Sequence, residues 1–147
     1  MSESCEEPFH PSMIVPLHIR VRYAETDQMR VAYYGRYFEW FEAGRAEYCR
    51  NKNAPYSELE QQHLFLPVAK AECRYKAAAH YDESIRIETW IERITSRTVT
   101  FKYRVLRDIS LLAEGETTHM LVNSDGRPSR FPPDFMRRLM SHTNDDI

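Results

Sequence analysis

An α+β domain, with a five-stranded, mostly antiparallel sheet wrapped around one long central helix, is what three features of the chain predict. A single amphipathic helical stretch rich in aromatic residues follows one strand-like run. Three alternating runs then succeed one another directly, as in a meander. A last run carries Ala113, Gly115 and Thr117 on one face, which leaves room for something large to lie against it.

The elements follow in order. Leu17, Ile19, Val21 and Tyr23 alternate with His18, Arg20 and Arg22, the period of a half-buried strand that stops near Ala24. From about Gly35 to Asn51, Tyr37, Phe38, Phe41, Gly44, Tyr48 and Cys49 recur at three- and four-residue steps, with Glu39, Glu42, Glu47 and Arg50 on the polar sides. Asn51, Asn53 and Pro55 end that helix, and Tyr56 to Gln62 adds a short helical turn. Ala71 to Ala77, Ile85 to Ile91 and Val99 to Val105 are the alternating runs, and a fifth strand covers about Leu111 to Asn123. Asp108 to Ser110 and Asn123 to Gly126 are turn-like, and Pro132-Pro133-Asp134 introduces a last short helix, Phe135 to His142.

With 147 residues, 42% hydrophobic and 29% charged, the chain has ordinary globular composition and suits one domain. The expected division is a flexible N-terminal segment at 1–14, a single domain at 15–142 and a polar tail at 143–147. A formal charge of -2 gives no general attraction to polyphosphate, so nucleic acid is not an expected partner. The N-terminal residues lack the basic start and apolar run of a signal peptide, and no stretch approaches a membrane span. A cytoplasmic protein with no membrane association is expected. Three cysteines without Cys-x-x-Cys spacing, and six scattered histidines, point neither to a disulfide framework nor to a metal site.

Chemistry concentrates between Arg22 and Arg45, where Asp27 closes a strand-like run, a short loop follows, and an aromatic helix begins. A carboxylate facing the amide-bearing start of a helix is a place where an acyl carbonyl is polarised and attacked. The competing reading of Asp27 is a helix cap or a loop-stabilising carboxylate, although the predicted helix begins too far downstream for a simple cap. Glu42 and Arg45 read first as an ordinary surface pair on the helix.

The residues Tyr23, Thr26, Asp27, Val31, Tyr33, Tyr34, Tyr37, Glu42 and Arg45, together with the order of elements, resemble the hotdog-fold acyl-CoA thioesterases. The resemblance is to the 4-hydroxybenzoyl-CoA thioesterase-like group that includes the Tol-Pal-associated enzymes. Arg30 stands where that family usually has glycine and Arg36 where it often has asparagine.

The resemblance implies hydrolysis of the thioester of an acyl- or aryl-coenzyme A to free acid and coenzyme A. Asp27 would be the essential carboxylate, as nucleophile or as general base for water, and the backbone amide of Tyr34 would polarise the carbonyl. Tyr33 would line the acyl site, and Arg97, Thr98 and Arg130 would hold coenzyme A near the hairpin that runs from Arg93 to Thr98. In another branch of these thioesterases the catalytic acid sits on the helix, which makes Glu42 the alternative carboxylate. No metal or organic cofactor is implied, since coenzyme A is part of the substrate. The family also implies a homo-oligomer, a dimer or a dimer of dimers, with sheets paired edge to edge and active sites shared between subunits. The alternative activity is a non-catalytic hotdog module binding acyl-CoA or acyl-carrier protein; a dehydratase on the same fold is less well supported, because its usual His and Asp pairing is not evident.

Overall fold

The structure, a computed structural model, describes residues 13–141. The tail at 143–147 and nearly all of the segment at 1–14 therefore lie outside the described residues, as does the expected helix end at His142. In chain order the elements are β1 (Val15–Arg20), a 3-10 turn (Tyr23–Glu25), α1 (Arg36–Asn51), α2 (Tyr56–Gln61), β2 (Leu64–Phe65), β3 (Val68–Tyr75), β4 (Ser84–Ile94), β5 (Thr98–Arg107), β6 (Ser110–Met120), β7 (Val122–Asn123) and α3 (Pro133–Leu139). The main sheet has the order β1-β4-β5-β6-β3, and every neighbouring pair in it is antiparallel.

Alternation decides which face of the sheet is covered. In β5 the side chains of Val99, Phe101, Tyr103 and Val105 are fully buried, while Thr100, Lys102 and Arg104 between them point outward. Helix α1 lies on the buried face and presents Tyr37, Trp40, Phe41, Gly44, Tyr48 and Cys49 to it. Phe41 stacks on Tyr103 with centroids 4.3 Å apart and planes 6° from parallel. The small residues expected to admit the helix do so. A Cβ on Gly115 would stand 2.5 Å from Phe41 Cε2 and 2.6 Å from the Glu72 carbonyl oxygen, so a side chain there would displace the helix or the sheet. Gly44 plays the matching part on α1, where a Cβ would come within 2.5 Å of Thr89 Oγ1 on β4.

Several boundaries differ from those expected: β1 ends at Arg20 and Tyr23–Glu25 is a 3-10 turn rather than the end of the strand, and β3 spans Val68–Tyr75 rather than Ala71 to Ala77. The last strand does not run unbroken to Asn123: β6 ends at Met120, and Val122 and Asn123 pair with β2 in a separate small sheet. The Leu121 amide donates to the Arg97 carbonyl and its own carbonyl accepts from Ser129, which turns the chain out of the main sheet. Alternation is unaffected by such a change of partner, so it could not reveal the break. Helix α3 begins at Pro133, because a proline in the first helical turn gives up only an amide that has no partner there.

The expected surface pair of Glu42 and Arg45 does not form. Arg45 is only 9% exposed and donates from Nη1 to the Tyr103 hydroxyl at 3.4 Å, whereas Glu42 faces solvent. Three residues along a helix is a shared side, but the width of the apolar stripe on α1 carries Arg45 under the sheet.

Candidate active site

The segment between the 3-10 turn and α1 folds as a small irregular hairpin. The Tyr33 amide donates to the Glu25 carbonyl, Thr26 bridges Ala32, and the Asp27 amide donates to the Val31 carbonyl, all at hydrogen-bond distance. At the tip, Arg30 donates its amide to the Asp27 carbonyl and has a φ of 63°, the left-handed region. Its backbone geometry is the one that favours glycine, the residue the resemblance led one to expect there. The hairpin is anchored to the chain ahead of β4, since Ala32 donates to the Ala79 carbonyl and Tyr81 to the Arg30 carbonyl.

The carboxylate of Asp27 is exposed at this tip. Its Oδ1 accepts from the Met29 amide at 2.8 Å and from the Val31 amide at 3.3 Å, so this oxygen fixes the loop. Its Oδ2 has no hydrogen-bond partner among the described residues. The loop-stabilising role and an available carboxylate oxygen thus coexist in one side chain.

The start of α1 supplies donors. The amides of Arg36, Tyr37 and Phe38 close turn bonds to the carbonyls of Tyr33, Tyr34 and Gly35. Those of Tyr34 and Gly35 have no acceptor among the described residues. Two unengaged amides at a helix start, on the positive end of its dipole, form an anion-stabilising feature. The Tyr34 carbonyl is held in turn by the Tyr75 hydroxyl of β3 at 2.8 Å.

Beside these donors lies a groove of about 320 Å³, lined by Val31, Ala32, Tyr34, Tyr37, Tyr75 and the chain at 76–78. Tyr33 stacks at a tilt on Tyr34, with centroids 4.5 Å apart, and both rings are exposed. Asp27 does not line this groove within one chain. A wider depression of about 510 Å³ lies on the opposite, outward face of the sheet among Glu72, Arg74, Trp90, Lys102, Glu114 and Glu116. Within it Lys102 pairs with Glu116 at 3.6 Å, Glu114 is paired from outside by Lys76 at 3.6 Å, and no helix start lines it. The groove beside Tyr34 is therefore the better place for acyl chemistry.

Arg97, Thr98 and Arg130 come together elsewhere. The Phe131 amide donates to the Ser96 carbonyl, which sets Arg130 beside the hairpin between β4 and β5. There Thr95 Oγ1 accepts from the Arg97 and Thr98 amides at 3.2 and 3.0 Å, and the Arg97 and Arg130 side chains are exposed. This cluster is at one end of β4 and the Asp27 hairpin is at the other. The 11 residues of β4 put on the order of 30 Å between them.

One residue of the site has no signature in the sequence pattern. Glu25 is 5% exposed, and its Oε1 accepts from the Arg22 amide at 2.8 Å while its Oε2 accepts from Trp40 Nε1 on α1 at 3.0 Å. Burial raises the pKa of this group, but the Arg22 amide, the Trp40 indole and the Arg22 guanidinium outweigh that and hold it below the ordinary carboxylate value. Nothing in the local periodicity marks a residue whose partner lies on another element. Among the described residues no group of three or more His, Cys, Asp or Glu side chains is placed to hold a metal ion.

Comparison with known proteins fits this geometry. The chain is 31% identical over 115 residues to the putative acyl-CoA thioesterase YneP of Bacillus subtilis, covering 77% of this chain and 83% of that protein. It is 31% identical over 116 residues to the acyl-CoA thioesterase YbgC of Haemophilus influenzae, covering 78% and 85%. Among solved structures, DHNA-CoA thioesterase from Staphylococcus aureus superposes with a TM-score of 0.81 at 30% identity, covering 85% of this chain and 87% of that one. The thioesterase-like superfamily matches residues 21–139, which span the 3-10 turn, the helix-start donors, the whole central helix and the meander, and the chain belongs to that family, with its hotdog fold.

Proposed function

We propose that the protein hydrolyses the thioester of an acyl- or aryl-coenzyme A, with Asp27 as the reacting carboxylate and the Tyr34 amide as the oxyanion donor. The observation that carries the reading is the pair of unengaged amides, Tyr34 and Gly35, at the start of a buried helix, in the same hairpin unit as a carboxylate with one unengaged oxygen. A thioester carbonyl seated at those amides is polarised as negative charge develops on its oxygen. Attack by the Asp27 carboxylate expels the coenzyme A thiolate and leaves a mixed anhydride for water to open. Alternatively, Asp27 takes a proton from the attacking water and the thiolate leaves in the same way. Both routes yield one acid and one thiol. The groove lined by Val31, Tyr37 and Tyr75 accepts the acyl group.

The coenzyme A cluster requires a second copy of the chain. Strand β3 is an edge strand with Val68 and Tyr75 both exposed, and an uncovered edge of this kind is completed by another strand. Tyr75, at one end of β3, touches Tyr34; Val68, at the other end, pairs with His119 close to Thr98. Antiparallel pairing of β3 with β3 of a second copy lays each end beside the opposite end of its mate. The Asp27 and Tyr34 end of one subunit then meets the Arg97, Thr98 and Arg130 end of the other.

The test is thiol release from a panel of short, long and aromatic acyl-CoAs, with wild type beside Asp27→Asn. Asparagine keeps an oxygen for the Met29 and Val31 amides, so the loop survives, while kcat falls by roughly 10²- to 10⁴-fold. Turnover of Asp27→Asn at the wild-type rate removes Asp27 from the reaction.

A further inference from the structure

The two halves of the proposed site sit on opposite arms of one hairpin, and a single buried side chain references both arms to the helix. Asp27 follows Glu25 by two residues on the first arm. On the second arm the Tyr33 amide, one residue before Tyr34, donates to the Glu25 carbonyl at 2.9 Å. The Glu25 carboxylate meanwhile accepts from Trp40 Nε1 within α1 and from the Arg22 amide at the mouth of the turn. Trp40 is itself buried, 3% exposed, with its ring centroid 4.6 Å from that of Tyr37, which lines the groove. A buried carboxylate is retained only when its oxygens are satisfied, so each of these donors depends on the others.

We propose that Glu25 is a positioning residue of the thioesterase reaction, holding the Asp27 carboxylate in register with the Tyr34 amide through Trp40 and Arg22. The proposal rests on the reading of Asp27 and Tyr34 given above. Glu25 touches neither substrate nor the reacting atoms; it sets where the reacting carboxylate stands relative to the helix start. Arg36 assists from the other side, since its Nη2 donates to the Ala24 carbonyl at 3.4 Å.

Two variants interrogate the contact by different routes. Glu25→Gln keeps the volume but places an NH2 where a donor already points, whichever way the amide turns. Trp40→Phe removes the indole donor and keeps a ring against Tyr37. For either variant, assayed where circular dichroism shows it folded, kcat for thiol release falls roughly ten- to a hundredfold, as a misplacement of about 1 Å produces. KM stays within about twofold, because the groove is untouched. Combined with Asp27→Asn, neither change lowers the residual rate further, since a carboxylate that is absent cannot be mispositioned. If folded Glu25→Gln and Trp40→Phe keep the wild-type kcat while Asp27→Asn is inactive, the positioning role is wrong and the thioesterase reading stands. A further loss of rate in the Asp27→Asn background also overturns positioning. Should Glu25→Gln not fold, Trp40→Phe decides alone. Wild-type turnover by Asp27→Asn ends both.

Discussion

Arg30 is where side-chain identity and backbone demand conflict. Its φ of 63° costs a residue with a Cβ roughly 1–2 kcal/mol, and glycine would give back about half of that in chain entropy. Its backbone bonds, amide to Asp27 and carbonyl from Tyr81, do not depend on the side chain. Arg30→Gly is therefore expected to gain roughly 0.5–1 kcal/mol in urea unfolding with thiol release unchanged. A loss of activity in that variant would assign the Arg30 guanidinium to substrate binding instead. The same residue shows what a motif conveys. Asp27 and Tyr34 could be nominated from the chain because their spacing is local, and the loop between them turns with arginine at the tip in the left-handed region. Glu25 was not recognisable, because its meaning lies in Trp40, on another element.

Between elements, the least apparent feature is a line of buried polar groups that joins α1 to the far edge of the sheet. Arg45 donates to the Tyr103 hydroxyl on β5, Tyr103 lies 2.5 Å from Thr117 Oγ1 on β6, and Thr117 lies 2.9 Å from His119 Nε2. His119 Nδ1 is 3.1 Å from the Leu66 carbonyl just ahead of β3, and since a carbonyl only accepts, Nδ1 carries the proton and Nε2 receives one from Thr117. The ring is neutral. Burial, then the charge of Arg45, push its pKa down to about 4 from the ordinary 6.5, against the Leu66 bond, which raises it. The unfolded chain therefore binds a proton through a window in which the native ring does not. This group's contribution is complete above about pH 6.5, is lost as pH falls towards about 4, and amounts to something on the order of 3 kcal/mol. Urea unfolding of wild type and His119→Gln across that window isolates it from the carboxylates, and the variant should lose stability less steeply. Equal slopes would show that the ring takes up its proton without leaving its site. Alternation placed Thr117 on the face towards the helix, but no spacing rule joined it to His119 or Arg45.

For the assembled molecule, subunit mixing gives a direct reading of where the active site lies. If β3 edges pair and sites are shared, Asp27→Asn and an Arg97→Ala/Arg130→Ala double variant are each impaired at substrate below KM. Dissociated and reassociated together, they form mixed dimers in which one of two sites has all its parts, and about a quarter of wild-type activity returns. No recovery would show that Arg97 and Arg130 do not serve the Asp27 site of a second copy. The long helix, the five strands of the main sheet and its covered face could be read from the chain, because each depends on residues a few positions apart through periodicity and turn formers; the hairpin that carries Asp27 was read only as a short loop. Three matters were settled only when distant segments met. The helix buries Arg45 rather than pairing it with Glu42; the last strand leaves the sheet at Leu121; and the two clusters assigned to one substrate stand at opposite ends of β4. Short-range pattern specifies which way a side chain faces, whereas what it meets there is fixed by packing between segments that the linear order keeps far apart.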